Sequence, residues 1–206
     1  MGVGRFDSLL LLSFGGPESS DDVMPFLRNV TAGRGVPDER LTVVAEQYEL
    51  FGGKSPINDL NQELLHALNE ELASRGHEIA TFWGNRNWNP FVADTIANLK
   101  SLGHKSAVCL VTSAFSSYSG CRQYHEDLER ACGDVPDAPD IHRVRVYWDH
   151  PDFLGAAAEL LAERRDAAGL SPETPVLHSA HSLPLSMAAT CDYQQQLNEA
   201  ASIVND

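Results

Sequence analysis

Leu9-Leu10-Leu11-Leu12-Ser13-Phe14 is a continuous apolar run rather than an alternating one, the pattern of a strand buried on both faces of a parallel sheet. Residues 78–84, with Ile79, Phe82 and Trp83, predict a second strand, and Ala107-Val108-Cys109-Leu110-Val111 a third, in which Cys109 is a buried thiol. Residues 141–148 alternate and predict a fourth strand nearer an edge; residues 175–179 predict a fifth. Helical patterns fill the intervals at 23–28, 38–49, 58–75, 90–102, 123–131, 153–168 and 194–204. The clearest is 58–75, where Leu60, Leu64, Leu65, Leu68 and Leu72 recur at helical spacing and Gly76 ends the run. Strands alternating with helices predict an α/β fold with an open, doubly wound parallel sheet. The break at Asp149-His150-Pro151 divides the chain into a first lobe, 1–150, and the start of a second, similar lobe, 151–206. A cleft between lobes is then the expected ligand site.

The segments that follow these strands carry the candidate chemistry, because open α/β sheets bind ligands outside the carboxyl ends of their strands. They are Phe14-Gly15-Gly16-Pro17, Trp88-Asn89, the hydroxyl-rich stretch from Ser113 to Tyr124, and His181-Ser182. Flat aromatics (Phe14, Trp88, Phe115, Tyr118), hydroxyls and an imidazole suit a large planar ligand with a polar rim and a base or metal ligand at its centre. Core filling explains the aromatics equally well, and His178 and His181 read also as ordinary core or turn histidines. Two nucleotide motifs fail. Gly15-Gly16 has no third glycine at the helix start, and Gly52-Gly53-Lys54-Ser55 has Tyr48 where a P-loop needs its first glycine and Pro56 where its helix should run on.

Composition narrows the classes. Net charge is −14, from 29 acidic and 15 basic residues, which argues against nucleic acid as a partner. No run is long enough for a membrane span, and the Leu9–Leu12 run lacks the basic front of a signal peptide. Four dispersed cysteines without a CxxC pair suit free thiols in the cytoplasm.

Four stretches carry a resemblance. Leu11-Leu12-Ser13-Phe14-Gly15-Gly16-Pro17, Tyr48-Glu49-Leu50-Phe51-Gly52-Gly53-Lys54-Ser55-Pro56, Asn89-Pro90-Phe91 and Ser179-Ala180-His181-Ser182-Leu183-Pro184 together resemble the ferrochelatase family. The stretch Ser117-Tyr118-Ser119-Gly120-Cys121-Arg122-Gln123-Tyr124 is similar to the actinobacterial branch, which makes iron coproporphyrin III. The resemblance implies a Rossmann-like chelatase lobe that inserts ferrous iron, as substrate, into coproporphyrin III for haem biosynthesis. It implies His181 as the catalytic and metal-site residue, and Ser55, Tyr124, Phe14 and Tyr48 as porphyrin-binding residues. Phe14 stands where some relatives carry a tyrosine able to ligate the product's iron, a bond phenylalanine cannot make. Arg28, Arg34, Arg40 and Lys54 are the basic residues nearest to propionate-binding duty. Cys121 aligns with one ligand of the [2Fe–2S] cluster that some relatives hold, but one cysteine cannot support a cluster needing four.

The family continues through a second lobe carrying a glutamate partner to the histidine, which nothing after His181 matches. A chain of this length is therefore expected to act weakly or not at all alone, and to expose apolar surface through which it associates. A porphyrin-binding module without turnover, and a chelatase for another tetrapyrrole or another metal such as cobalt, are the alternatives.

Overall fold

The computed structural model describes residues 5–205. The sheet has four parallel strands in the order β2-β1-β3-β4: β1 Ser8–Ser13, β2 Ala80–Asn85, β3 Ser106–Val111 and β4 Asp140–Arg143. β1 is the central strand, and all six of its residues are buried, as its unbroken apolar run demands. Leu10, Leu11 and Leu12 are fully enclosed, together with Ile96 and Leu99 of α4 (Val92–Ser101) and with Ala107 and Cys109 of β3. Burial pushes the Cys109 thiol up to about 12. The expected doubly wound α/β architecture is present.

α1 (Ser20–Val30) and α2 (Asp38–Glu49) follow β1 and share an apolar seam of Val23, Phe26, Leu27 and Leu41. Neither N-terminus is closed by a capping side chain. Ser20 Oγ donates to Glu49 at 2.7 Å, and Asp38 pairs with Arg28 at 2.7 Å. α3 (Ile57–Ser74) packs on β1 and β2 through Asn58, Asn61, Leu65, Leu68 and Leu72. Leu60 and Leu64 lie off that stripe and are exposed, because the buried seam starts on asparagines rather than leucines. Helical spacing of leucines located the helix; the polar demand of the neighbouring loop set which face turned inward.

α5 (Gln123–Gly133) precedes β4, α6 (Pro151–Ala167) follows it, and α7 (Leu185–Ala188) and α8 (Tyr193–Asn205) complete the chain. β4 is shorter than its alternating pattern predicts. Val144 still donates to Cys109 O at 2.9 Å, but beyond it the chain turns away as Arg145 closes on Asp149 at 2.5 Å.

The fifth strand expected at 175–179 is absent among the described residues. That segment is neither helix nor strand, and Leu177 is 93% exposed. Pro175 removes a ladder donor, and two adjacent aliphatic residues bury too little surface to hold a strand without a paired neighbour.

The described residues divide into two compact units. One takes in the residues up to Thr112 together with Glu126–Val144; the other takes in Ser113–His125 and the residues from Arg145 onward.

Candidate active site

On the first unit, candidate residues gather where β1 ends. The Phe14-Gly15-Gly16-Pro17 turn and the Gly52-to-Pro56 loop lock together: Ser55 N donates to Pro17 O at 2.8 Å. Gly16 has no room for a side chain, since a Cβ there would lie 2.7 Å from Ser55 Cβ and 2.8 Å from Ile57 Cγ2. Gly53 sits at φ +72° with the Ser20 backbone against it, so it meets both conditions that favour glycine. The result is a half-buried Ser55 whose backbone cannot drift.

Beneath that loop lies a polar core. Asn58, fully buried, donates to Gly16 O and to Glu18 Oε1, each at 3.0 Å. Asn85, also fully buried, donates to Asn89 O at 3.2 Å and accepts from Trp83 Nε1 at 3.0 Å. Asn87 holds Phe14 O through its backbone N–H at 3.0 Å and through its side chain at 3.2 Å. Buried amides of this kind must be satisfied, and satisfying them fixes three loops in one arrangement.

Phe14, Tyr48 and Trp88 are half-buried and all meet the buried Phe26 edge to face, with ring centroids 6.2, 6.2 and 6.0 Å away. This is a favourable aromatic geometry. Desolvation raises the Tyr48 hydroxyl, which stays a neutral donor. The Arg86 guanidinium lies 5.9 Å from the Phe14 ring centre and is ion-paired with Asp127 of α5, which also binds Arg130. Of the candidate basic residues, Arg28 and Lys54 are already paired, with Asp38 at 2.7 Å and Asp59 at 2.6 Å.

The second unit carries the hydroxyl-rich loop and the histidine. Ser117 accepts from Gly120 N at 2.8 Å and opens a π-helical turn, Tyr118–Arg122, that presents Tyr118 and Cys121. Such turns are rare and concentrate at functional positions. Tyr124 follows on α5 and is only 4% exposed, whereas Tyr118 is 41% exposed. His181 is exposed, on the irregular segment that ends in Pro184. Its Nδ1 lies 2.8 Å from Ser182 O. A carbonyl only accepts, so Nδ1 is the donor, and in the neutral ring the lone pair falls on Nε2. His178 lies 3.3 Å from the Asn205 side chain, a separate contact.

Residues 7–206 match the Ferrochelatase family. The chain belongs to the ferrochelatase family. It is 47% identical over 203 residues to a protein named ferrochelatase from Rhodopirellula baltica, covering 98% of this chain and 58% of that one. It is 48% identical over 218 residues to a coproporphyrin III ferrochelatase from Frankia alni, covering 98% of this chain and 54% of the relative. The corresponding protein of Mycolicibacterium smegmatis is 47% identical over 208 residues, covering 97% and 60%. The chain thus spans little more than half the length of these ferrochelatases.

Within this member of the family, Phe14, Tyr48 and Ser55 gather on the first unit, and Cys121, Tyr124 and His181 belong to the second. Among the described residues no three or more His, Cys, Asp or Glu side chains form a group able to hold a metal ion. No helix among the described residues is long and apolar enough to cross a membrane. Sequence reasoning missed Asn58, Asn85, Arg86, Asp127 and Gln196, the polar residues that fix the loops. Only the asparagines left a trace, as polar positions on the helix and strand faces that pack inward.

Proposed function

We propose that the protein of which this chain forms all or part inserts ferrous iron into coproporphyrin III, in the cytoplasm, as a step of haem biosynthesis. The observation that carries this reading is the state of His181. With Nδ1–H held by Ser182 O, Nε2 is the nitrogen that offers an accessible lone pair in the neutral ring. Metallation releases two pyrrole protons, and a neutral imidazole is the side chain suited to accept one near neutral pH or to meet the incoming iron. Phe14, Tyr48 and Ser55 are the porphyrin contacts on this reading: the rings meet the macrocycle face, and the hydroxyl meets its polar rim. Tyr124, only 4% exposed, is a lesser contact on this reading, and Phe14 contributes no bond to iron. Residues 1–150 are a first chelatase lobe, and 151–206 open the second.

A second reading, porphyrin binding without insertion by this chain alone, is favoured by one observation. No carboxylate among the described residues bonds the His181 ring, whose recorded partner is a backbone carbonyl. Anaerobic iron insertion into coproporphyrin III, with protoporphyrin IX and cobalt as controls and His181→Ala alongside, separates the two. Insertion that the variant loses supports the first reading. Insertion unaffected by the variant removes His181 from the chemistry, and tight binding without insertion supports the second reading.

A further inference from the structure

α8 carries two residues, one turn apart, that hold the two chemistry-bearing segments of the second unit. Gln196 is 7% exposed, and its amide makes a reciprocal pair with Ser116: Ser116 N donates to Oε1 at 2.7 Å, and Nε2 donates to Ser116 Oγ at 2.9 Å. Ser116 sits immediately before the Ser117 cap of the π-helical turn, so these bonds anchor the turn that presents Tyr118 and Cys121. One turn earlier on α8, the Tyr193 ring meets Phe115 edge to face at 6.2 Å, and its hydroxyl donates to His181 O at 3.3 Å. Spacing of three residues puts both on one face of the helix. A glutamine buried on a helix is costly unless both ends of its amide are satisfied, and here one serine does so. Neither segment has regular structure of its own to fix it: one is a π turn, the other has no strand.

We propose that Gln196 and Tyr193 are the positioning pair of the porphyrin site. α8 acts as a staple that holds the 113–122 loop and the His181 segment in the arrangement the substrate meets. Neither residue touches the reacting atoms. Tyr193 fixes the carbonyl of His181, and with it the backbone from which Nδ1–H reaches Ser182 O and leaves Nε2 open. Gln196 fixes the loop beside it. The porphyrin part of this inference rests on the function proposed above; the tethering of the two segments does not.

The test uses three variants of the full chain: Tyr193→Phe, which keeps the ring on Phe115 and loses the hydroxyl, Gln196→Leu, which loses both bonds, and Gln196→Glu. A carboxylate accepts from both Ser116 N–H and Ser116 O–H, so the last variant is the conservative rescue. Three quantities are read: the His181 ring tautomer by nitrogen-15 NMR, amide exchange across 113–122, and the dissociation constant for coproporphyrin III by fluorescence. Wild type shows the Nδ1–H tautomer. Tyr193→Phe shows a mixture of tautomers, and Gln196→Leu speeds exchange in the loop at least tenfold. Both weaken porphyrin binding about tenfold, the equivalent of about 1.4 kcal/mol and the size of one or two lost hydrogen bonds. Gln196→Glu stays within about twofold of wild type, by the same arithmetic. Unchanged tautomer, exchange and affinity in Tyr193→Phe and Gln196→Leu overturn the proposal. So does failure of Gln196→Glu to rescue, or a loss of affinity that only follows a fall in melting temperature. A wild-type chain that binds no porphyrin overturns the porphyrin reading instead, and the tautomer and exchange measurements then decide the tethering alone.

Discussion

The Arg86–Asp127 pair joins the loop after β2 to α5 and sits against Phe14, and its burial makes a sharp prediction. The two side chains are only 6% and 12% exposed. Removing Arg86 leaves Asp127 to the exposed Arg130, and removing Asp127 takes a carboxylate from the buried Arg86 guanidinium, so Arg86→Met or Asp127→Leu alone is expected to cost at most about 3–5 kcal/mol. Phe14 loses its cation–π neighbour in the first case, worth about 0.5–1 kcal/mol and contained within that figure. Replacing both residues removes both desolvation penalties together. The double variant Arg86→Met, Asp127→Leu is therefore expected within about 1 kcal/mol of wild type, a coupling of several kcal/mol. Arg130, the second partner of Asp127, is 71% exposed and stays solvated when its carboxylate is gone, so it adds little to the balance. Urea denaturation followed by circular dichroism measures all four corners of the cycle. For a domain of this size each kcal/mol is worth about 2–4 °C in melting temperature, so either single variant shifts it well outside error. A double variant that costs the sum of the singles refutes the reasoning. So does a single variant that costs under about 1 kcal/mol, the level of a solvent-exposed pair.

Gly16→Ala puts a Cβ 2.7 Å from Ser55 Cβ, and the displaced loop is expected to lose about 1–3 kcal/mol in thermal melts and to bind coproporphyrin III more weakly. Cys109 is fully buried, so iodoacetamide at pH 8 leaves it unmodified in the folded chain and alkylates it only in denaturant, as peptide mapping would show. Its thiol rises from 9.0 to about 12 on folding, so the unfolded chain gives up the proton first. That contribution to stability is complete below pH 9 and is lost progressively between pH 9 and 12, which melts of Cys109→Ala and wild type across that range would resolve. Asp7 behaves with the opposite sign. Desolvation opposes its charge, but N–H donation from Lys105 at 2.7 Å and from Ser106, with the Ser8 hydroxyl and His104, holds the carboxyl below 3.8. Asp7→Ala is accordingly destabilising at pH 7, and the difference from wild type shrinks as pH falls below about 4, where the unfolded carboxyl takes up its proton.

By itself the sequence determined α1 to α6, α8, four of the strands and the family. Those signals are local: a continuous apolar run cannot tolerate exposure, a helix repeats its apolar face at fixed spacing, and Gly15-Gly16-Pro17 or His181-Ser182-Leu183-Pro184 sits in consecutive residues. The end of β4 and the missing fifth strand were not legible, because a strand exists only where a neighbour completes its ladder, and no residue encodes its neighbour. The face of α3 was misread for a related reason. Leucines at 60 and 64 satisfy the helical pattern, yet Asn58 and Asn61 turn inward, Asn58 because the Gly16 carbonyl, 42 residues away in sequence, has to be paired. The tautomer of His181 follows from a carbonyl at the next residue, but that contact depends on a backbone held in part by Tyr193. Arg86 and Asp127, 41 residues apart, and Ser116 and Gln196, 80 apart, are unremarkable polar residues until the chain folds. Burial turns each into a tether, because a polar group removed from water must find its partner inside the protein, and only the tertiary structure decides which partner that is.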